Sequence, residues 1–327
     1  MQALFTGRHI NAASTDLTAG HRPRAVRNQH HQRPTRLCWT RTRHLPHALP
    51  YRPLLKVVMP VSRRLVLATL LSSTLSFPAR AAFEHATWDA LLKKHVTPLR
   101  GGQASQVDYA GMARDETALK RYLDSTSAVS RATFDAWTKP EQLTFLLNAY
   151  NAWTVALILT RYPDLKSIKD LGSVFSSPWK KAFVPLLGET RSLDDLEHQL
   201  IRGSGRYKDP RIHFAANCAS VGCPALRAQA YEASQLDTQL EDAARLFLSD
   251  TTRNRVAGQG LEVSSIFKWY TSDFEQGWRG ATTLGQFLAL YREPLGLNDE
   301  QTQRLRANDM SVRFLDYDWR LNAKVVR

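Results

Sequence analysis

The fold is decided by residues 139–163, which read KPEQLTFLLNAYNAWTVALILTRYP. Pro140 suits the first turn of a helix, where a backbone N–H is not needed, and Pro163 cannot continue one. Between the two prolines, apolar residues occur almost all round the helical wheel. A helix that is apolar on every side is a buried helix. The stretch therefore predicts a long central helix around which the rest of the chain packs.

Two asparagines interrupt this apolar helix. Asn148 and Asn151 are three positions apart, so they share one helical face. A buried amide without a partner costs about 1–3 kcal/mol, so both side chains need hydrogen bonds. They either fix a neighbouring loop or orient a substrate or a catalytic side chain, and the sequence leaves both interpretations open.

The segments on either side predict the fold class. Helical spacing of apolar residues is present before the central helix, in HATWDALLKKHV and DYAGMARDETALKRYLDS. After it, strand candidates alternate with amphipathic helices, and these candidates are KAFVPL, RIHFAA, RNRVAG, GLEVSS and VRFLDY. Helices followed by strands that lack regular crossovers indicate an α+β fold. We expect an N-terminal helical part with a long buried central helix, then a small, mostly antiparallel sheet with surrounding helices.

Residues 59–81, MPVSRRLVLATLLSSTLSFPARA, have the layout of a secretory signal peptide. Arg63 and Arg64 form a positive start, an apolar run of thirteen residues follows, and ARA at 79–81 is an A-x-A cleavage motif. The apolar run is too short to span a membrane. We expect cleavage after the second alanine of that motif and export by the ordinary secretory route, with the twin-arginine route as the alternative.

Residues 1–58 precede this signal, although a signal peptide begins a chain. They carry ten Lys and Arg, one acid and no periodic apolar pattern, a composition typical of disorder. We expect them to be upstream sequence assigned to the coding frame in error, with translation starting at Met59. The alternative is a disordered basic arm before an internal apolar helix.

Cleavage of the signal changes the charge of the chain. Residues 1–81 hold 13 of the 44 Lys and Arg but one of the 30 Asp and Glu, so the net charge falls from +14 to +2. A nearly neutral chain gives no reason to expect nucleic-acid binding. We expect residues 82–327 to form one globular domain that is exported, periplasmic in a Gram-negative source, and without a stable membrane anchor.

A second motif, SLDDLEHQLIR, covers residues 192–202. Its first four residues have capping-box spacing and predict the start of a helix. Glu197 falls within the leucine stripe of that helix, and a carboxylate on a buried face needs a partner. Glu197 either forms an ion pair, with Arg202 as one candidate, or acts as a general base or an orienter of histidine, with its pKa raised by burial. Asp194 is placed to pair with His198 on the surface.

A third motif, RIHFAANCASVGCPAL, covers residues 211–226. Its alternating start predicts a strand that carries His213, followed by a loop with Cys218 and Cys223. In an oxidising compartment the two cysteines are first of all a disulfide candidate. Closing so short a loop contributes about 2 kcal/mol in the chain-entropy model.

Two other interpretations of these cysteines stay open. Cys218 is a nucleophile if His213 or His198 serves as its base. Alternatively, Cys218 and Cys223 bind zinc together with the same two histidines, although their spacing is not that of a zinc finger.

No dinucleotide-binding, P-loop, zinc-protease, nucleophile-elbow or EF-hand pattern occurs, so no cofactor is predicted.

The motifs also resemble a known family. Five segments occur in the order seen in the family called domain of unknown function 547; they are FLLNAYNAWTV, SLDDLEHQLIR, RIHFAANCASVGCPAL, SSIFKWYTSDF and VRFLDYDWRLN. The resemblance has its core at about residues 138–270. It implies a shared fold but no settled biochemical role. The polar residues to which it points are Asn148, Tyr150, Asn151, Glu197, His198, His213, Cys218, Ser220 and Cys223.

We predict that these residues form one polar site. If the site is catalytic, we expect thiol-dependent acyl transfer or hydrolysis, with Cys218 as the nucleophile and His213 or His198 as the base. Glu197 then orients the histidine, and asparagine amides lie near the oxyanion. The predicted substrate-binding residues are Asn148, Tyr150, Asn151 and Ser220.

The alternative function is a non-catalytic envelope binding protein. In that case a Cys218–Cys223 disulfide gives a ligand-binding loop its shape. For either function the expected partner is a small molecule or a peptide, and not nucleic acid.

Overall fold

The computed structural model describes residues 82–173 and 176–324, so the predicted basic segment and signal peptide lie outside the described residues. Its helices are α1 (Ala86–His95), α2 (Tyr109–Arg114), α3 (Glu116–Ser127), α4 (Arg131–Asp135), α5 (Lys139–Leu159), α6 (Leu193–Asp195), α7 (Leu236–Leu248), α8 (Ile266–Trp269), α9 (Thr271–Phe274), α10 (Leu284–Leu290) and α11 (Asp299–Arg306). Its strands are β1 (Val96–Leu99), β2 (Ala104–Val107), β3 (Val184–Leu186), β4 (Glu189–Arg191), β5 (Arg255–Ala257), β6 (Gly260–Ser264) and β7 (Val312–Leu315). Short 3₁₀ helices lie at Arg100–Gly102, Ile168–Leu171, Pro178–Lys180 and Pro210–Phe214.

The central helix α5 forms as predicted. A capping box fixes its start, because the Thr138 backbone N–H donates to the Glu141 carboxylate at 2.7 Å and the Thr138 hydroxyl accepts from the Glu141 N–H at 3.4 Å. The consecutive residues Phe145–Leu147 are all fully buried, so neighbours enclose the helix on every side. By length and composition alone α5 could cross a membrane, yet 83% of its apolar window is buried within the protein.

The strands form three small sheets instead of one. β1 pairs antiparallel with β2, and β3 pairs antiparallel with β4. In the third sheet β6 is central, antiparallel to β5 and parallel to β7, with Val263 opposite Phe314. The pairing is mostly antiparallel and the fold is α+β, as the sequence predicts.

The prediction that RIHFAA forms a strand is wrong. Pro210–Phe214 is a 3₁₀ helix, because the Asp209 carboxylate accepts from both the backbone N–H and the guanidinium of Arg211, at 2.9 and 3.0 Å. The apolar alternation has another cause. Ile212 packs into a core cluster around α5, whereas Phe214 packs into a second cluster around α7 and β6.

The helix of the second motif begins with the predicted capping box at Ser192. After one turn, however, it widens into a π-helix over Leu196–Arg202, and its last N–H bond runs from Gly203 to the His198 carbonyl at 2.9 Å. Single π-turns are often found at functional sites. This π-helix carries Glu197, whose carboxylate contacts Tyr150 of α5.

The C-terminal segment holds the cysteine loop in place. The Val221 and Gly222 N–H groups donate to the carbonyls of Arg320 and Asp318, both at 2.8 Å. A Cβ atom at Gly222 would lie 3.0 Å from the Asp318 backbone, so this close approach favours glycine. The contact brings Tyr317, from the end of the chain, against the loop.

Candidate functional site

A small cavity of about 30 Å³ lies where α5, the π-helix, the cysteine loop and the C-terminal segment meet. It has room for one or two water molecules. Its polar and sulfur-bearing lining residues are Tyr150, Glu197, His213, Cys218, Cys223, Tyr270 and Tyr317. The structure thus brings five of the sequence-predicted residues to one place, and adds two tyrosines.

The two cysteines form a disulfide, which confirms the first interpretation of the loop. Their sulfurs are 1.97 Å apart, and Cys218 and Cys223 are 8% and 4% exposed. The Tyr317 hydroxyl donates to the Cys223 sulfur at 3.1 Å and lies 3.3 Å from the Cys218 sulfur. The Ser220 hydroxyl is 3.2 Å from the Cys218 sulfur, which places this predicted residue beside the bond.

Glu197 accepts hydrogen bonds from two tyrosines and not from Arg202. The Tyr270 hydroxyl donates to its carboxylate at 2.5 Å and the Tyr150 hydroxyl at 3.1 Å. Burial, followed by the nearby Glu197 charge and these hydrogen bonds, raises the pKa of both tyrosines well above the ordinary value. Both phenols therefore stay protonated and remain donors to the carboxylate.

His213 is paired with Asp273, a residue that the sequence did not single out. The His213 Nε2 is 2.7 Å from the Asp273 carboxylate, and its ring stacks on Tyr270 with centroids 4.0 Å apart. Arg202 donates to the same carboxylate at 2.6 and 3.0 Å. Although burial opposes it, hydrogen bonds from His213 and Arg202 hold the pKa of Asp273 well below its usual range. Burial lowers the pKa of His213, and the bond to Asp273 partly opposes that shift.

These pKa directions fix the tautomer of His213. An ionised Asp273 can only accept, so the Nε2 of His213 carries the proton that it donates. The neutral ring then holds its free lone pair on Nδ1. A histidine oriented in this way by a carboxylate is the usual arrangement of a catalytic base.

His198 does not line the cavity. Its Nδ1 is 2.5 Å from a guanidinium nitrogen of Arg202, and its Nε2 is 3.5 Å from the carboxylate of Asp194, the partner that the sequence predicts. The same nitrogen is 3.9 Å from Glu197. His198 therefore borders the site from its outer side, and of the two predicted bases His213 is the one that lines the same cavity as the disulfide cysteines.

The two asparagines of α5 hold loops. The Asn148 amide exchanges two hydrogen bonds with the Tyr231 backbone, at 2.9 and 3.0 Å. The Asn151 amide donates to the Ala215 carbonyl at 3.0 Å and accepts from the Asn217 N–H at 2.8 Å. Neither side chain lines the cavity. The loop-fixing interpretation describes their geometry, and their role toward a substrate stays a prediction.

The zinc interpretation does not agree with this geometry. A disulfide sulfur is not the thiolate that zinc binds, and Cys218 and Cys223 are both in the disulfide. Within the part of the chain that the structure describes, no three His, Cys, Asp or Glu side chains are grouped as metal ligands.

Comparison with known proteins supports the resemblance. Residues 134–248 match the family model described as Protein of unknown function, DUF547. The match includes α5, the π-helix and the cysteine loop, but stops before Tyr270, Asp273 and Tyr317 and is shorter than the predicted core at about 138–270. No curated protein and no solved structure matches the chain.

Proposed function

We propose that the protein is exported and that its polar site performs thiol-dependent acyl transfer or hydrolysis on a small molecule or peptide. One observation carries the proposal: His213, oriented by Asp273, lines the same cavity as the sulfurs of Cys218 and Cys223. A nucleophile, a base and an orienting carboxylate are the general parts of such a centre. Titratable groups whose pKa values are displaced also cluster at functional sites more than elsewhere.

The disulfide is then the resting form of the centre. A dithiol reductant supplies two electrons and two protons, which converts the disulfide into two thiols and the reductant into a disulfide. His213 takes the Cys218 proton through its free Nδ1, and Asp273 stabilises the imidazolium that results. The thiolate attacks the acyl carbon, and His213 returns the proton to the leaving group. Water or a second acceptor then removes the acyl group from sulfur.

Other residues of the cavity support this chemistry. Asp273 takes the orienting role that we predicted for Glu197 from the sequence. The Tyr317 hydroxyl, within 3.3 Å of both sulfurs, is a donor placed to stabilise a thiolate. Glu197 is held in place at the same cavity by hydrogen bonds from Tyr270 and Tyr150.

Turnover of p-nitrophenyl acetate before and after reduction tests the proposal. We expect the isolated protein to be inactive, the reduced protein to be active, Cys218→Ala to be inactive, and Cys223→Ala to be active without reductant. Thiol titration before and after reduction follows the oxidation state. Activity retained by Cys218→Ala would exclude Cys218 as the nucleophile.

A non-catalytic envelope binding protein is the second candidate. It is favoured by the disulfide itself, which is buried and hydrogen-bonded by Tyr317. In this case Cys218→Ala and Cys223→Ala have equal effects on stability, and neither the oxidised nor the reduced protein turns over the ester. The same pair of variants therefore separates the two candidates.

Export has a test of its own. Cleavage of the signal at 79–81 leaves Ala82 as the first residue, which mass spectrometry of the exported protein can read. We expect Ala79→Arg to block cleavage and to accumulate the longer chain. An exported protein that still begins before residue 82 would contradict the signal assignment.

A further inference from the structure

A second, larger cavity shares no lining residue with the polar site. It measures about 440 Å³ and lies between the β1–β2 hairpin, α7 and residues 225–229, which directly follow the disulfide. Small-molecule sites typically measure roughly 300–1,000 Å³. The thiol chemistry proposed above makes no use of this cavity.

The walls of the cavity are largely apolar. The chief apolar side chains are Val96, Leu226, Leu246 and Phe247. Its charged lining residues are Lys93 and Arg227, and none of the described residues that line it is an Asp or a Glu. The cavity therefore combines an apolar body with positive charge.

The two cations differ in how far they are neutralised. Lys93 is exposed and pairs with Asp89 at 2.6 Å. Arg227 pairs with no carboxylate in the described part of the chain, and its Nε is buried without a hydrogen-bond partner. The guanidinium carbon lies 5.7 Å from the centroid of the Tyr231 ring, a long cation–π contact. An unpaired guanidinium beside apolar walls favours a carboxylate, which it can bind through two parallel hydrogen bonds.

Ser105 supplies a second polar group at the same cavity. It is 8% exposed, and its hydroxyl has no hydrogen-bond partner among the described residues. Buried hydroxyls are nearly always partnered, so an unpaired one is a site for a ligand or a water. Rotation of χ1 to another staggered position is sufficient to redirect a serine hydroxyl.

We propose that this cavity binds an amphipathic carboxylate. Its head group pairs with Arg227, and its aliphatic body lies against α7 and the β1–β2 hairpin. The charged lining residues are both cations, so the cavity favours a ligand with a negatively charged head group. The apolar walls select an aliphatic body, since removing CH₂ groups from water stabilises the complex.

Calorimetric titration of the purified protein with decanoate and with decan-1-ol tests this site. We expect decanoate to bind saturably and at least ten-fold more tightly than the alcohol, because a hydrogen bond to a charged group contributes about 1.5–3 kcal/mol. Arg227→Gln should weaken decanoate binding at least ten-fold and leave decanol binding unchanged. Arg121→Gln, on the exposed face of α3, is the matched control and should bind decanoate like the parent protein.

Two results would overturn the site. One is equal affinity of the parent protein for decanoate and decanol, a comparison that needs no variant to fold. The other is unchanged decanoate affinity in Arg227→Gln. Neither result depends on the oxidation state of the disulfide, so failure of this binding site and failure of the proposed thiol centre are distinguishable.

Discussion

At the scale of single residues, Asp273 connects His213, which lines the cavity, to Arg202, which lies beside it. Its carboxylate accepts from both His213 and Arg202, and all three side chains are largely removed from water. A change at this residue therefore affects a histidine that lines the cavity beside the disulfide and an arginine that contacts His198. The proposed role of His213 as a base therefore depends on that shared carboxylate.

The variant Asp273→Asn should lower the pKa of His213 further. The asparagine oxygen still accepts from Nε2, but the negative charge that favours imidazolium is lost. Loss of the Arg202 ion pair should also reduce the free energy of unfolding by about 2–3 kcal/mol. The His213 Hε1 resonance followed through a pH titration measures the first effect, and urea unfolding the second.

Asp237→Asn is the control for that change. Asp237 also pairs with an arginine, at 2.6 Å from Arg211, but its side chain is 83% exposed. Exposed ion pairs contribute about 1 kcal/mol or less, so a small loss of stability and an unchanged His213 are expected. A pKa of His213 that rises in Asp273→Asn would contradict the geometry.

The Asn151 side chain should be important for the stability of the cysteine loop. Asn151→Ala leaves the buried Ala215 carbonyl and Asn217 N–H without partners, and should reduce the free energy of unfolding by about 3 kcal/mol. Hydrogen exchange at the Asn217 amide should rise. Asn148→Ala, which affects Tyr231 instead, is the matched control. Equal protection of Asn217 in both variants would argue against the assigned contact.

The sequence predicted the residues of the site that stand out locally. Glu197 and His213 are polar residues in apolar surroundings, and Cys218 and Cys223 are the two cysteines of residues 82–327. Tyr270 and Tyr317 gave no such signal, because a tyrosine in an apolar segment is an ordinary core residue. Asp273 was missed because its partners are 60 and 71 positions away.

At the scale of elements, the long central helix and four of the five short strand candidates were predicted correctly, and RIHFAA was not. The helix of residues 139–159 has apolar residues on all sides and a capped start, so local pattern and tertiary burial agree. RIHFAA alternates because Ile212 and Phe214 meet two different cores. Over four residues, a half-buried strand and a short helix packed between two cores show the same alternation of apolar and polar residues. Only the presence of a paired strand distinguishes the two, and the sequence does not show it.

The capping box of α5 should contribute measurably to stability. Thr138→Ala removes the hydroxyl that accepts from the Glu141 N–H and should reduce the free energy of unfolding by about 1 kcal/mol. Thr138→Ser keeps the hydroxyl and serves as the control. Urea unfolding of the two variants should differ by most of that amount, and identical midpoints would show that packing alone fixes the helix start.

At the scale of the whole molecule, the fold ties distant segments to one site. The cysteine loop is held by α5 through Asn151 and by the C-terminal segment through Gly222. The sequence predicted these segments as separate motifs, but not that the end of the chain reaches the loop. Contacts across about a hundred residues leave no local pattern, which is why the position of Tyr317 required the structure.

Stability of the whole molecule should depend on pH through two histidines, the partly buried His85 and the buried His213. Burial lowers the pKa of His85 to about 4 from 6.5, and its Nδ1 is 2.8 Å from the Tyr122 hydroxyl. Because the unfolded chain takes up a proton at higher pH than the folded chain, the free energy of unfolding should fall as the pH drops from 6.5 to 4. The loss from this histidine is about 3 kcal/mol.

His213 shifts in the same direction, while Asp273 adds a further loss only as the pH falls below the ordinary Asp value of 3.8. The variant His85→Gln keeps a polar partner for Tyr122 but does not titrate. Its free energy of unfolding should therefore decline less than that of the parent protein between pH 6.5 and 4, and the two profiles should run parallel above pH 6.5. Chemical denaturation at closely spaced pH values measures the difference. Parallel profiles through the whole acidic range would place the pH dependence elsewhere in the molecule.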